Sequence, residues 1–444
     1  MSEVKIPEGY KQTEVGVIPE DWEVSNIKDI SLSPTQNGLF YEPKRKGTGV
    51  PLINVSDMYK SAPIDVSLLE LFDATTNELN TFKVNAGDLF FTRSSIVPSG
   101  IAFCNIFESK HNNVVFDSHL IRVQPNGNII NSKYLYLNCI SQHARIALIS
   151  EAKTATMTTI DQAAINRCPV LLPSKQEQTA IATALSDVDN LIQSLEKLIA
   201  KKEAIKTGTM QQLLTGKTRL PEFATRDDGS AKGFKQTELG RIPEDWKVVK
   251  FNDLTNLITC GIAATPIYVP ENLGVPFLSS TNVKNGKVQW KNFKYISHSL
   301  HDQLYKNNPP KKGDVLYSRV GTIGEAAVIE AEFEFSVYVS LTLIKPKKEK
   351  LNPYYLTQLL NSKPYKQKAK DEVYLGGGVG NLNVDVVRNY LIITPAYQEQ
   401  TAIATILSDM DAEIQALQQR LEKTRDIKQG MMQQLLTGKV RLAH

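Results

Sequence analysis

The chain has 444 residues, of which 41% are hydrophobic and 22% charged, a composition typical of a globular protein with two to four domains. Its 51 lysines and arginines are nearly balanced by 47 acidic residues, so the net charge of +4 permits a nucleic-acid partner without requiring one. The four cysteines lack CxxC spacing and the apolar runs are far shorter than the ~20 residues of a membrane span, which argues against metal knuckles, disulfide frameworks and membrane insertion and favours a cytoplasmic location.

Two segments of the chain occur twice, in the same order. The opening segment GYKQTEVGVIPEDWEV (9–24) returns as GFKQTELGRIPEDWKV (233–248), with 12 of 16 positions identical. A helical block at 176–220 returns at 398–442, with 29 of 45 positions identical and no gap. A period above 200 residues is too long for a solenoid, so the pattern indicates duplication of a whole unit.

The stretches between the repeated blocks differ in sequence and share only short motifs, such as GDLFFTR (87–93) and GDVLYSR (313–319). Alternating apolar runs predict short strands there, whereas SKYLYLNCISQHARIALIS (132–150) and PYYLTQLLNSKPYKQKAK (353–370) predict helices. The predicted fold class is α+β, with a mixed domain in each half. The predicted division is 1–175 (opening segment and first variable domain), 176–216 (first long helix), 217–248 (linker and repeated opening segment), 249–397 (second variable domain) and 398–444 (second long helix).

Each long helix carries an unbroken heptad seam, with apolar residues at spacings of 4, 3, 4, 3 and 4. The seam residues are Ile181, Leu185, Val188, Ile192, Leu195 and Ile199 in the first copy and Ile403, Leu407, Met410, Ile414, Leu417 and Leu421 in the second. We expect the two copies to pair antiparallel as a coiled coil with a pseudo-twofold axis; the alternative is that each helix packs on its own variable domain. Ser174 and Glu177 predict a capping box, and the in-pattern Gly208 and Gly430 indicate close helix contact or a kink.

A search for catalytic motifs finds neither a Walker A loop, nor HExxH, GxSxG or a GxGxxG βαβ signature. NNPPKK (307–312) has a lysine where adenine methyltransferases carry an aromatic residue, and GGGVG (376–380) is not followed by Lys-Ser/Thr, so both predict loops. His298 and His301 have helical spacing but no supporting cysteine or carboxylate cluster, so we expect surface histidines. The sequence therefore predicts no catalytic residue and no metal ligand.

Polar and basic side chains gather in loops of both variable domains, where Arg, Lys, Asn, Gln, Ser and Thr are suited to contact phosphates and base edges. For any single residue, solvated surface is the alternative, and Arg93 and Arg319 could equally form structural salt bridges. The candidate DNA-binding residues are Gln36, Asn37, Tyr41, Lys44, Arg45, Lys46, Arg93, Ser94, Ser95, Lys153, Thr154, Thr156, Thr265, Tyr268, Ser280, Thr281, Asn282, Arg319, Thr322, Asn381 and Asn383.

The order of these parts resembles the specificity subunits of type I restriction–modification systems. The resemblance covers nearly the whole chain and rests on TEVGVIPEDWEV with TELGRIPEDWKV, on QEQTAIATALSDVD with QEQTAIATILSDMD, and on KTGTMQQLLTGKTRLPEF with KQGMMQQLLTGKVRL. It implies that the variable segments are two target-recognition domains, each reading one half of a split, asymmetric DNA site. It further implies that the repeated helices form an antiparallel spacer and dock two modification subunits.

The resemblance also implies a non-catalytic chain that binds no cofactor of its own. S-adenosylmethionine, ATP and Mg are expected on partner subunits, and the expected partners are double-stranded DNA, two modification subunits and restriction subunits, with no membrane. Two other hypotheses stay open: a scaffold that holds two proteins without reading DNA, and a self-contained enzyme, against which the missing motifs speak.

Overall fold

The computed structural model describes residues 6–60, 62–154, 157–374 and 380–442. Contacts divide the chain into two compact units: unit 1 comprises Met1–Glu196 with Gln419–His444, and unit 2 comprises Lys197–Gln418. Each unit therefore holds one variable segment, the beginning of one long helix and the end of the other.

Unit 1 mixes short strands with short helices. Its strands are β1 Tyr10–Thr13, β2 Gly16–Pro19, β3 Glu23–Asn26, β4 Gln36–Asn37, β5 Lys46–Ile53, β6 Glu70–Phe72, β7 Leu89–Thr92, β8 Ser94–Ser95, β9 Cys104–Ile106, β10 Val115–Phe116, β11 Leu120–Val123, β12 Lys153–Thr154, β13 Thr158–Thr159 and β14 Pro169–Leu172. Its helices are α1 Thr76–Phe82, α2 Ser132–Ile140, α3 Gln142–Ser150, α4 Gln162–Arg167 and the first part of α5 Lys175–Leu213.

The central sheet of unit 1 has the order β4-β11-β7-β9, with antiparallel neighbours. Strand β7 is buried throughout, and α2 packs beside β9 over a core that includes Phe91 and Tyr134. A second sheet has the order β10-β5-β6, and a small one has β12-β13-β8. Strands β3 and β14 pair with each other at the two ends of the variable segment, so the domain begins and ends at one place.

Unit 2 repeats this plan. Its strands are β15 Phe234–Thr237, β16 Gly240–Pro243, β17 Lys247–Lys250, β18 Thr255–Cys260, β19 Gly274–Leu278, β20 Val283–Lys284, β21 Lys287–Val288, β22 Lys294–Ser297, β23 Val315–Ser318, β24 Ala326–Val328, β25 Ser336–Val337, β26 Leu341–Pro346, β27 Val373–Tyr374, β28 Asn381–Leu382 and β29 Leu391–Thr394. Its helices are α6 Pro221–Ala224, α7 His298–Asn307, α8 Pro353–Asn361, α9 Lys363–Asp371, α10 Val384–Arg388 and the first part of α11 Tyr397–Leu435.

The two unlike variable segments thus share one strand order. The central sheet of unit 2, β18-β26-β23-β24, matches β4-β11-β7-β9, and the sheet β22-β19-β25 matches β6-β5-β10. Strands β17 and β29 close the second segment as β3 and β14 close the first. The observed architecture is the predicted mixture of helices and strands in each half.

Candidate nucleic-acid interface

A Gly-Asp dipeptide occurs in both halves and forms the turn that precedes a central strand, β7 in unit 1 and β23 in unit 2. Gly87 adopts φ +95°, and the Asp88 carboxylate accepts a hydrogen bond from the Asn85 amide at 3.0 Å. Gly313, at φ +89°, and Asp314 repeat this turn in unit 2. A positive φ favours glycine, which explains why two otherwise unlike segments share the Gly-Asp dipeptide at this turn.

At the far end of β7, two of the predicted recognition loops meet. The Arg93 amide donates to the His119 carbonyl at 2.8 Å, and the Arg93 carbonyl accepts from the Ile160 amide at 3.0 Å. Next to this contact, β8 pairs with β13 and β13 pairs with β12. Four predicted residues, Ser94, Ser95, Lys153 and Thr154, therefore lie in one small sheet, whereas Thr156 lies outside the described residues.

Unit 2 uses the same backbone framework. The Arg319 amide donates to the Ser340 carbonyl at 2.9 Å, and the Arg319 carbonyl accepts from Leu382 at 2.9 Å. A bridge between Val320 and Asn381 takes the place of the β8–β13 pairing. Most of the glycine-rich run 376–380, up to residue 379, lies outside the described residues.

Three basic residues of unit 1 are available for a ligand. Lys44, Arg93 and Lys153 are exposed, and within the described part of the chain their side chains make no hydrogen bond or ion pair. Their cationic groups suit phosphate contacts, which position a protein on a duplex without carrying sequence information.

Other predicted basic residues of unit 1 are engaged within the fold. Arg45 forms a two-pronged ion pair with Glu78 (Nη1–Oε1 3.0 Å, Nη2–Oε2 2.5 Å) and lies over the Phe72 ring at 4.6 Å. Hydrogen bonding from Arg45 lowers the pKa of Glu78 to about 2. Lys46 pairs with Glu70 at 2.6 Å. These side chains hold β5 and its neighbours together.

The polar residues of the first loop are half-buried and have partners. The Gln36 amide oxygen accepts a hydrogen bond from Arg122, and the Asn37 amide oxygen accepts one from Gln162 at 2.7 Å. The Tyr41 ring lies 6.0 Å from that of Phe72 and packs against the core beneath.

Several predicted surface residues of unit 2 are in fact buried, and their surface placement is wrong. Arg319 donates to the carbonyls of Leu382 (2.8 Å) and Val339 (3.1 Å), so its guanidinium satisfies backbone acceptors and forms no salt bridge among the described residues. The other buried residues are Ser280, whose amide donates to Ser340 Oγ at 2.9 Å; Asn282, whose amide group bonds the carbonyls of Gln289 and Lys291; and His301, which contacts Ser336 Oγ at 3.0 Å.

The remaining predicted residues of unit 2 are exposed. They are Thr265, which contacts the Tyr338 hydroxyl at 3.2 Å; Tyr268, with Lys294 over its ring at 5.9 Å; Thr281; Thr322, which donates to the Ser280 carbonyl at 3.2 Å; Asn381; and Asn383, which caps α10. Hydroxyl and amide groups prevail here, whereas unit 1 presents cations.

The structure also exposes residues that the sequence analysis missed. Phe40 and His119 line an open cleft of about 520 Å³ beside Lys46 and Lys60, and the ring nitrogen Nδ1 of His119 lies 2.7 Å from Asp117. Ile96 projects from the loop after β8. The sequence signal for Phe40 and Ile96 is an apolar residue within a polar loop, because an apolar side chain in such a loop is not expected to pack in the core.

The repeated motifs assemble into one polar junction in each unit. In unit 1, the buried Glu177 accepts hydrogen bonds from Trp22 Nε1 (3.1 Å) and from Arg441 Nε (2.5 Å), and Arg441 also pairs with Asp21. In unit 2, the corresponding residues are Glu399, Trp246 (3.0 Å), Arg219 (2.9 Å) and Asp245. The opening segment, the start of one long helix and the end of the other are thereby joined.

The seam residues of the long helices are buried or half-buried in every case. Ile181 and Leu185 join the core of unit 1, and Ile403 and Leu407 join that of unit 2, so the seam packs in part on the variable domains. Cross-helix ion pairs lie within each unit: Asp189–Lys428 and Glu196–Arg425 in unit 1, and Lys206–Asp411 and Lys202–Glu413 in unit 2.

The described residues were also searched for metal sites and membrane spans. No group of three or more His, Cys, Asp or Glu side chains in this part of the chain could hold a metal ion. None of its helices is long and apolar enough to cross a membrane.

Comparison with known proteins finds one family. The family model described as the type I restriction modification DNA specificity domain matches residues 19–206 and again 243–424. A protein of Methanocaldococcus jannaschii, provisionally named the type I restriction enzyme MjaX specificity subunit, is 30% identical over 98% of this chain and 97% of its own length. The MjaVIII specificity subunit of the same organism is 26% identical over 98% and 96%.

A solved structure has a similar fold. The type I restriction–modification S subunit from M. genitalium superimposes with a TM-score of 0.58 at 13% identity, covering 97% of this chain and 98% of that one.

Proposed function

Because the chain belongs to the type I restriction–modification DNA specificity family, we propose that its two variable segments each read one half of a bipartite, asymmetric DNA site. The observation that carries the proposal is one shared framework with different surfaces. At matching positions after the central strand, unit 1 exposes Arg93, whereas unit 2 buries Arg319. Two readers of one fold but different surface chemistry suit a site whose halves differ in sequence.

We further propose that α5 and α11 pair as an antiparallel coiled coil with a pseudo-twofold axis and set the spacing between the half-sites. The cross-helix ion pairs support this, because residue numbers rise along one helix as they fall along the other: 189 with 428, then 196 with 425. A helix of 39 residues is about 58 Å long, compared with about 34 Å per turn of duplex.

In this proposal the duplicated helices and junctions also form two similar docking surfaces, one for each of two modification subunits. The chain itself carries no chemistry; S-adenosylmethionine for adenine methylation, and ATP and Mg for restriction, belong to the partner subunits. Shared neutralisation of phosphates by those partners accounts for the chain's modest net charge of +4.

The test is to co-express the chain with its modification subunit and map methylated adenines genome-wide by long-read sequencing. A two-part asymmetric motif with a fixed unread gap is expected. Methylation of a short continuous motif, or none from an assembled complex, would contradict the proposal and favour a scaffold. Binding of S-adenosylmethionine or metal-dependent cleavage by the isolated chain would instead indicate an enzyme.

A further inference from the structure

An apolar knob, formed by Ile96, Val97 and Met157, projects beside the small sheet of unit 1. Ile96 is 86% and Val97 55% exposed. The antiparallel pairing of Ser95 with Thr158 brings exposed Met157 opposite Ile96. Because Ile96 and Val97 are exposed, their side chains add little hydrophobic stabilisation to the folded state, and folding alone does not explain why apolar residues stand there.

The knob belongs to the first variable domain alone. Counting from the matched arginines, Ile96 corresponds to Thr322 and Val97 to Ile323. Thr322 donates a hydrogen bond within unit 2, and Ile323 is partly buried against its core. The knob is therefore a difference between the two surfaces rather than part of their shared framework.

The loop that carries the knob is held firmly from beneath. Arg145 donates to three backbone carbonyls within 99–102, at 2.5 to 2.9 Å. The hydroxyls of Tyr59 and Thr92 both donate to the Gly100 carbonyl, at 3.0 and 2.8 Å. A loop anchored at several points keeps Ile96 exposed and loses little conformational entropy when it meets a ligand.

The surroundings of the knob identify the ligand chemistry. Arg93 and Lys153, both exposed and without a partner among the described residues, lie in the same small sheet region. Cations beside an apolar tip match the major groove of DNA, where phosphates border the groove and the thymine C5-methyl group is the apolar feature of a base edge.

We propose that the apolar knob reads the C5-methyl group of a thymine in the half-site bound by the first variable domain, with Ile96 as the specificity-determining residue. This inference rests on the proposed function and names one contact within it.

The test uses the full chain in complex with its modification subunit and duplexes carrying the methylation motif. Each thymine of both half-sites is replaced in turn by deoxyuridine, which removes only the methyl group, and binding is measured by fluorescence anisotropy. One substitution is expected to weaken binding about three- to fivefold, the effect of burying one methyl group. Ile96→Ala should weaken binding to the thymine duplex and bring the uracil-to-thymine ratio at that position close to one.

The matched control is Leu68→Ala, which trims an exposed apolar residue elsewhere in unit 1 and should leave the uracil effect unchanged. The inference is overturned if no deoxyuridine substitution matters, or if Ile96→Ala keeps the full uracil effect. It is also overturned if Ile96→Ala releases the modification subunit, since the knob would then be a protein contact. A wild-type complex without any sequence preference overturns the proposed function itself; sequence preference without methyl dependence overturns this inference alone.

Discussion

Glu177 and Glu399 each satisfy several groups at once. Their carboxylates bind a tryptophan Nε1 and an arginine, although S-x-x-E spacing before the first helix predicts a capping box. Ser174 Oγ does accept from the Glu177 amide at 3.2 Å, but the Glu177 side chain turns to the junction instead. The second copy retains Glu399 while Ala396 replaces the capping serine, and the junction explains why only the glutamate is shared.

Removal of Arg219 should destabilise unit 2 markedly. Its side chain is 7% exposed and pairs with the buried Glu399, so Arg219→Ala leaves a buried carboxylate unpaired, at a cost of about 3–5 kcal/mol in the free energy of unfolding. Arg441→Ala should cost less, because Arg441 is 37% exposed. Urea denaturation measures both.

The matched control for this prediction is Arg226→Ala, which removes a surface ion pair with Glu244 and should cost about 0–1 kcal/mol. Equal losses for Arg219→Ala and Arg226→Ala would show that the junction is not a source of stability.

Asp88 should make unit 1 less stable as the pH rises from about 4 to 6. Burial raises the pKa of Asp88 from 3.8 to about 6, and the hydrogen bond from the Asn85 amide and the charge of Arg122 offset this rise only in part. The folded state therefore holds this proton more tightly than the unfolded state, and the stabilisation present below pH 4 is lost as the pH passes 6. The shift corresponds to about 3 kcal/mol at most.

Urea denaturation at pH 4 and pH 7 tests this pH dependence. Asp88→Asn should lose less stability between the two pH values than the wild-type chain. An identical pH profile for both proteins would rule out Asp88 as the source.

At the scale of elements, each variable-domain helix predicted as one is two. The run 132–150 divides at Ser141, which ends α2 and accepts from the Ala144 amide to cap α3. The run 353–370 divides at Ser362 between α8 and α9, although the Ser362 side chain makes no capping hydrogen bond to α9. Apolar residues lie on both sides of the first break, so their pattern could not locate it, whereas Pro364 at the start of α9 is a sequence signal for the second break. A serine can cap a new helix, and only packing decides whether it does.

The glycines inside the long helices are not sites of close contact. A Cβ at Gly208 or Gly430 would meet nothing within 4 Å, which contradicts the predicted close helix contact. Each Gly→Ala change should therefore stabilise the chain by about 1 kcal/mol, because alanine has the higher helix propensity. Thermal unfolding should show a higher Tm for either variant.

Gly438→Ala is the matched control for these helix substitutions. Gly438 has φ +69°, and a Cβ there would lie 2.6 Å from the Pro19 ring, so this change should destabilise unit 1. A lower Tm for Gly208→Ala would indicate that the helix needs its glycine for a local bend.

At the scale of the whole molecule, the repeated blocks predicted the duplication and the mixed α+β class, but not the shared strand order. The sequences of the two variable segments differ too much to reveal this strand order, because only a few local residues determine it. Gly38 and Gly261 are examples: a Cβ on either would overlap a backbone carbonyl of the neighbouring chain segment. Which loop residues face solvent was equally hidden, since Arg93 and Arg319 have the same local sequence setting and opposite burial.

Exchange of the first variable segment should change one half-site only. The sequence division suggests grafting 25–175, but β3 and β14 pair with each other, so a graft of 27–168 keeps that pairing intact. The donor need only avoid proline at the position of Asn131, because it is the backbone N–H of Asn131 that donates to Gln178 Oε1 at 2.8 Å and ties the domain to α5. Methylation mapping should then show one new half-site, with the other half-site and the spacer unchanged.

The reciprocal graft of 251–390, between β17 and β29, should alter the opposite half-site. The two grafts are matched because each replaces one variable segment and retains both junctions and both long helices. A change in both half-sites from either graft would contradict the proposal that each variable segment recognises its half-site independently. A change in the spacer alone would instead assign the spacing to the variable segments rather than to α5 and α11.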